Sequence, residues 1–317
     1  MKIQTVKVNK NISFGNLQNI FPFLGIIFVT GIFAILTDGR NLAFSNIQRV
    51  SLQSVLLMIG CLGATFTLAH GGLDFALGGI LGMSVAIGGL AGMINPLFTL
   101  PVILIVAVLG EVVEVTTSLV LKIPSFIVSL AMLFITKGIL IGITQQHSVN
   151  SSPMLLTLDQ PIFYYSVLII VFILALFLFQ YTKIGKYNRA IGSNFTAAVT
   201  SGIPVNRYKI YAFIVSGVAL GISAFLNFVR AGSVSFTTGS GFELNVLIAL
   251  VLGGNSISGG TSVKIRNAII GCLTLVILEN GLVMVGVEPA IVGLIKGSIF
   301  LTAIAIAYDR KIGQIIT

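Results

Sequence analysis

Of 317 residues, 56% are hydrophobic and 9% charged, the formal net charge is +9, and the mean hydropathy is +1.06. A soluble domain carries roughly 25% charged residues to solvate its surface, so a water-soluble globule is excluded and the chain needs a bilayer. A spanning helix takes about 20 residues, which leaves room for about a dozen helices and none for a separate soluble catalytic domain.

The N-terminal stretch 1–19 is polar and shows no small-residue cleavage site after a short apolar core. The first apolar run is therefore expected to be retained as a helix. Apolar runs follow at about 20–36, 50–69, 75–93, 97–120, 125–143, 162–180, 209–229, 242–255, 265–287 and 290–307. The eighth is short and bounded by glycine, which suits a re-entrant or broken segment as well as a full span. The fold class is all-α: a polytopic transmembrane helix bundle of about ten spans, one domain over 1–317.

Lys and Arg set the orientation. With ten crossings and both termini in the cytoplasm, cytoplasmic segments hold Lys2, Lys7, Lys10, Lys122, Lys183, Lys186, Arg189, Arg207, Lys209, Lys264, Arg266, Arg310 and Lys311. The opposite side holds Arg40, Arg49 and Arg230, while Lys137 and Lys296 fall inside spans. This asymmetry is the positive-inside bias, and it accounts for the basic excess without any nucleic-acid partner. Cys61 and Cys272 lie in apolar runs without metal-like spacing and are expected to be buried thiols.

Two links are long. Residues 144–161 carry no Lys or Arg and are expected outside; residues 181–208 are basic and are expected to form a cytoplasmic loop on which a partner docks. Within the second, Asn194 or Thr196 can cap a short helix through Ala197, Ala198 and Val199, which Gly202 and Pro204 terminate. Small-xxx-small pairs such as Gly78/Gly82 and Gly88/Gly92 serve close helix packing.

Charge in hydrocarbon is costly, so intramembrane carboxylates face the bundle interior or a wet cavity. Asp74 and Glu243 stand at the edges of apolar runs, and Glu111, Glu114 and Glu279 within or near them. Such groups line a solute path or gate it, or else cap helix ends or pair with a neighbour such as Lys296. Asp74, after two glycines at a helix start, suits an N-cap or hinge, and Glu279-Asn280 is the stronger path candidate. Glu111 and Glu114 lie at i and i+3 on one face, and no His or third carboxylate is expected to join them, so a metal site is not expected and a proton relay is the alternative. Phe126, Asn227 and Phe236 are weaker pointers: a sugar needs flat apolar surface and hydrogen bonding together, but a lone Asn or Phe in a bundle more often serves packing or interhelical bonding. His70 and His147 have no nucleophile or acid partner nearby, no catalytic cluster is seen, and no metal site is expected.

Four stretches carry a family resemblance. Residues 185–203, GKYNRAIGSNFTAAVTSGI, place Gly192, Asn194, Ala197, Ala198, Ser201, Gly202 and Ile203 on the pattern G-x-N-x-x-A-A-x-x-S-G-I, followed by Val205, Arg207 and Lys209. Gly71-Gly72-Leu73-Asp74, then Ile123-Pro124-Ser125-Phe126-Ile127-Val128, then 241–260 (GFELNVLIALVLGGNSISGG) follow in order. Together they resemble the ribose-type permeases of ATP-binding-cassette importers, in the branched-chain amino acid/ribose permease superfamily. The resemblance implies a transport subunit that is not itself an enzyme and binds no cofactor, with ATP and Mg on a separate partner. It implies two ATP-binding subunits docked on Gly192, Asn194, Ala197, Ala198, Thr200, Ser201, Gly202 and Ile203, a second permease subunit, and a soluble substrate-binding protein. It places the chain in the bacterial inner membrane and implies a small sugar-like solute of ribose, xylose, galactose or autoinducer-2 type. Path or gating residues are then expected among Asp74, Phe126, Asn227, Glu243, Glu279 and Asn280. The alternatives are an ion-coupled secondary carrier, or a related permease for nucleosides or branched-chain amino acids. The sequence departs from the family pattern at Ala76-Leu77, where Ser-Val is usual, and at Val263-Lys264-Ile265-Arg266-Asn267, where Gly and Thr are usual.

Overall fold

In the computed structural model of the protein the described residues are 14–307. The ten apolar runs all become helices: α1 Phe14–Leu36, α2 Phe44–Ala69, α3 Leu77–Ile94, α4 Thr99–Leu121, α5 Ser125–Gln146, α7 Pro161–Gln180, α10 Val205–Ala231, α11 Phe242–Leu252, α12 Ile265–Met284 and α13 Pro289–Ala307. Three further helices occupy the two long links: α6 Pro153–Leu156, α8 Lys183–Ser193 and α9 Phe195–Thr200. Among the described residues the sole β pairing is an isolated bridge between Asn150 and Ser233.

Seven of these helices (α2, α3, α4, α5, α7, α10 and α12) are long and apolar enough to cross a membrane. The helix formed by the eighth run is shorter than a full span. α11 has 11 residues, about 16 Å at 1.5 Å per residue, half of a hydrocarbon core of about 30 Å. Gly241, in the left-handed region at φ 77°, begins it, and the glycine-rich 253–260 stretch follows it. The terminal Lys2, Lys7, Lys10, Arg310 and Lys311, and with them the sides on which the two ends lie, fall outside the described residues.

α2 and α10 form the centre. Their apolar windows are 83% and 72% buried, against 22% for α5 and for α7, which stand at the rim. Small residues permit the central contacts. Gly63 of α2 lies against Ser216 and Ala219 of α10, and Gly217 and Gly221 of α10 lie against Val108 and Leu104 of α4. Ser223 Oγ of α10 donates to the Leu56 carbonyl of α2 at 2.8 Å. In lipid such close backbone approach and interhelical bonding replace the hydrophobic drive available in water.

Two helices begin inside the bundle. Residues 70–76 enter without helical structure before α3 starts. Residues 232–241 enter from the C-terminal end of α10, and Gly232 and Val234 bond to Ser151 and Val149 of the 144–161 link. The starts of α3 and α11 then meet: the Glu243 carboxylate lies against Gly78, and Thr238 lies against Gly82. Discontinuous helices whose starts converge within a bundle are where transporters build solute sites.

At the opposite end, the last carbonyl of α2 ties three segments together. Gly260 N donates to Ala69 O at 2.9 Å, and Thr261 N donates to Ser193 Oγ at 3.1 Å.

Candidate coupling surface and transport path

Residues 181–208 form two helices instead of an open loop. Thr182 caps α8 by accepting from Ile184 N at 3.2 Å. α8 turns Asn188 and Ile191 inward, and Asn188 Nδ2 donates to Ile184 O at 2.9 Å and Tyr208 O at 3.2 Å, fixing α8 to the start of α10. Arg189 lies 5.0 Å from the centre of the Phe179 ring, a cation–π contact that holds α8 on α7.

α9 is a six-residue helix held at both ends. Asn194 Oδ1 accepts from Ala197 N at 3.0 Å, the N-cap expected of it. At the other end Ile203 N donates to Ala198 O at 3.1 Å and Gly202 N donates to Val199 O at 3.0 Å. This is a Schellman closure, and it needs a left-handed residue, which Gly202 supplies at φ 77°. Ala198 packs in a small apolar cluster with Ile191 and Val205, against Ile203 and Tyr208.

The side chains of α9 divide in a way the sequence did not show. Ala198 is buried, and a Cβ on Gly192 would meet Ala69 O, so both face inward. Asn194, Ala197, Thr200, Ser201 and Gly202 are exposed, and Ile203 is half-buried. Two apolar residues absent from the expected set, Phe195 and Val199, are 56% and 49% exposed. They stand at i and i+4, one face of a helix, and that spacing was the available signal. Gly192 and Ala198 therefore set the angle and stiffness of α9, while Phe195 and Val199 form its outward apolar face.

The six candidate path residues lie on five elements: the 70–76 segment, α5, α10, α11 and α12. Asp74 Oδ1 accepts from Ala76 N at 2.8 Å, so Asp74 restrains the start of α3. It lies beside Glu111 and Glu114 of α4, so a third carboxylate does join that pair, contrary to the expectation from sequence, because the 70–76 segment enters the bundle against α4. All three are buried, and their carboxyl groups face one another, with Ser216 of α10 beside Glu111. Among the described residues no group of three or more His, Cys, Asp or Glu is arranged to hold a metal ion. Glu243 belongs to the junction of α3 and α11 described above. Phe126 is exposed at the start of α5, and Asn227 is half-buried on α10. Phe236, in the 232–241 entry segment, is exposed. Of the two histidines, His70 ends α2, buried and stacked on Phe213 with ring centres 6.0 Å apart, and His147 is exposed after α5.

Glu279 and Asn280 are joined to other helices. Lys296 Nζ donates to Glu279 Oε1 at 2.8 Å and to Asn245 Oδ1 at 3.0 Å. Asn46 Nδ2 donates to Asn280 Oδ1 at 2.9 Å. These bonds link α11, α12 and α13, and α12 to α2. Glu279 is thus paired with Lys296 of α13. Cys61 and Cys272 are buried free thiols.

A helix bundle with seven membrane-length helices, two helix starts meeting inside it and a short exposed helix at one end defines a multi-pass membrane protein of the transport class. Residues 46–304 match the family described as "Branched-chain amino acid transport system / permease component", and the chain belongs to it. It is 30% identical to the ribose import permease protein RbsC of Bacillus subtilis (strain 168), over 94% of both chains. It is 27% identical to RbsC of Escherichia coli (strain K12) over 86% of both. With the xylose transport system permease protein XylH of Haemophilus influenzae (strain ATCC 51907 / DSM 11121 / KW20 / Rd) it shares 26% identity, over 93% of this chain and 97% of that one. No solved structure matches.

Proposed function

We propose that the chain is the membrane-spanning half of an ATP-binding-cassette importer for a small sugar, a pentose or hexose, in a bacterial inner membrane. The observation that carries the reading is α9: short, capped at both ends, exposed on one face and anchored through Gly192 to the end of α2. A push on such a helix is transmitted to α2 and α10 instead of being absorbed by a flexible loop. The ribose and xylose permeases among its relatives support the sugar class. Two ATP-binding subunits would dock on the Phe195/Val199 face, and a soluble binding protein would deliver solute to the other side.

A second membrane half is part of this proposal. Lys137 lies near the middle of α5, half-buried at the rim, and has no ion-pair partner among the described residues. A lone ammonium at that depth is costly against lipid, so this face of α5 belongs against water or another subunit. A second reading, an ion-coupled carrier, draws on the buried Asp74, Glu111 and Glu114. The two separate in proteoliposomes that contain the chain with its co-purified partners. Uptake of labelled pentose that requires internal-face ATP supports the importer; uptake driven by a proton or sodium gradient without ATP overturns it.

A further inference from the structure

The departure at 263–267 has no part in α9 or in the carboxylate groups, yet it lies beside a groove. At the α8/α9 end a cavity of about 540 Å³ opens between α7, α8 and the start of α12. Arg189, Lys264 and Arg266 line it, with Gln180 at its edge and Phe172 and Leu176 along one wall. Two of the five N–H donors of Arg189 are directed to Phe179 O and Gly185 O, at 3.4 and 3.3 Å, which fixes the guanidinium at the groove. At the start of α12 Asn255 Oδ1 accepts from Lys264 N at 2.9 Å, and the helix end adds partial positive charge to the same spot.

From these observations we infer that the groove binds the headgroup of an anionic phospholipid from the leaflet on the α8/α9 side. The apolar wall decides between a lipid and a free anion. Phe172 and Leu176 stand one turn apart on α7, and Phe179 and Gln180 continue the same face to the groove. That stripe runs about 12 Å down a membrane-length helix, so a lipid phosphate among the three cations has its acyl chain against Phe172 and Leu176. A free phosphate has no use for that wall. Basic recesses between membrane helices at this level are suited to anionic headgroups. A lipid so placed braces α7 against α12, independently of the solute carried.

The chain contains no tryptophan, which makes Phe172→Trp a single fluorescent reporter inside the groove. The full-length variant is placed in phosphatidylcholine vesicles containing a minor fraction of brominated phosphatidylglycerol or of brominated phosphatidylcholine. Preferential quenching by the phosphatidylglycerol is expected. Adding Lys264→Gln and Arg266→Gln is expected to weaken that preference by about tenfold or more, at roughly 1 kcal/mol per charge. Equal quenching by the two lipids overturns the proposal, and so does a preference unaffected by the two substitutions. Loss of the preference on adding millimolar inorganic phosphate assigns the groove to a free anion and also overturns it. Native mass spectrometry of the unsubstituted protein supplies a readout that needs no variant: retained phosphatidylglycerol in excess of phosphatidylcholine is expected, and no excess contradicts the site.

Discussion

Gly202 and Ala198 fix the geometry of α9 by different means, and substitution separates them. A Cβ at Gly202 meets nothing within 4 Å, yet the backbone sits at φ 77°. Gly202→Ala therefore costs only backbone strain, about 1 kcal/mol, and should lower uptake partially while the chain inserts normally. Ala198 is 4% exposed, so Ala198→Asp buries a carboxylate among Ile191, Val205 and Ile203. That change should abolish uptake and expose the 194–209 region to trypsin in inverted vesicles. Equal, mild effects of the two substitutions would mean that α9 does not pack as described. Lys296 and Glu279 invite a double-mutant cycle. Lys296→Met or Glu279→Gln alone leaves the other charge without its partner, and removing one partner of a buried pair costs roughly 3–5 kcal/mol, less at these partly exposed positions. The double variant should recover most of the lost thermal stability in detergent; additive losses would show the pair contributes nothing.

Elements differed in how much of them the sequence disclosed. The cap at Asn194 and the stop at Gly202-Pro204 were legible because capping is local chemistry within a few residues. α8 was not: KIGKYNRAIGS contains two glycines and little helix propensity, and the helix exists because Asn188 and Ile191 pack against α10 and the α9 cluster. The inward turn of Ala198 was hidden too, since six residues provide less than two helical periods to compare. Asn46 as the partner of Asn280 lies 234 residues away, a separation no local pattern can bridge. α11 was flagged as short by its flanking glycines, but its contact with α3 through Gly78 and Glu243 emerges only in three dimensions. The α11–α12 contact supplies a test at this scale. A Cβ on Gly271 would meet the Ala249 carbonyl, and one on Gly253 would meet the Asn267 carbonyl. Gly271→Leu has no room to be accommodated without parting the helices, so folded protein in membranes should fall severely, whereas Gly293→Leu on α13, with nothing within 4 Å, should be tolerated. Western blots of detergent-soluble, monodisperse protein read both.

For the molecule as a whole, burial divides the bundle into a centre of α2 and α10, with α3 and α12 beside it, and a rim of α5 and α7. α9 is attached to that centre, and the meeting point of α3 and α11 lies within it. A displacement of α9 thus has a rigid route towards the place where two helix starts converge. The charge distribution and the hydropathy announced a membrane protein with ease. The partners of the polar candidates were less legible, because Glu279 and Asn280 are joined to Lys296 and Asn46 on other helices and Asp74 restrains a helix start. The central claim is that α9 receives the action of an ATP-binding partner. The most direct measurement introduces a photo-reactive residue at the exposed Thr200, irradiates native membranes and identifies the crosslinked species by mass spectrometry. An ATP-binding subunit is the expected crosslinked species, with the adduct reduced when Ala198→Asp disrupts the helix. Recovery of no ATP-binding protein, while vesicles still accumulate solute under an ion gradient, would contradict it.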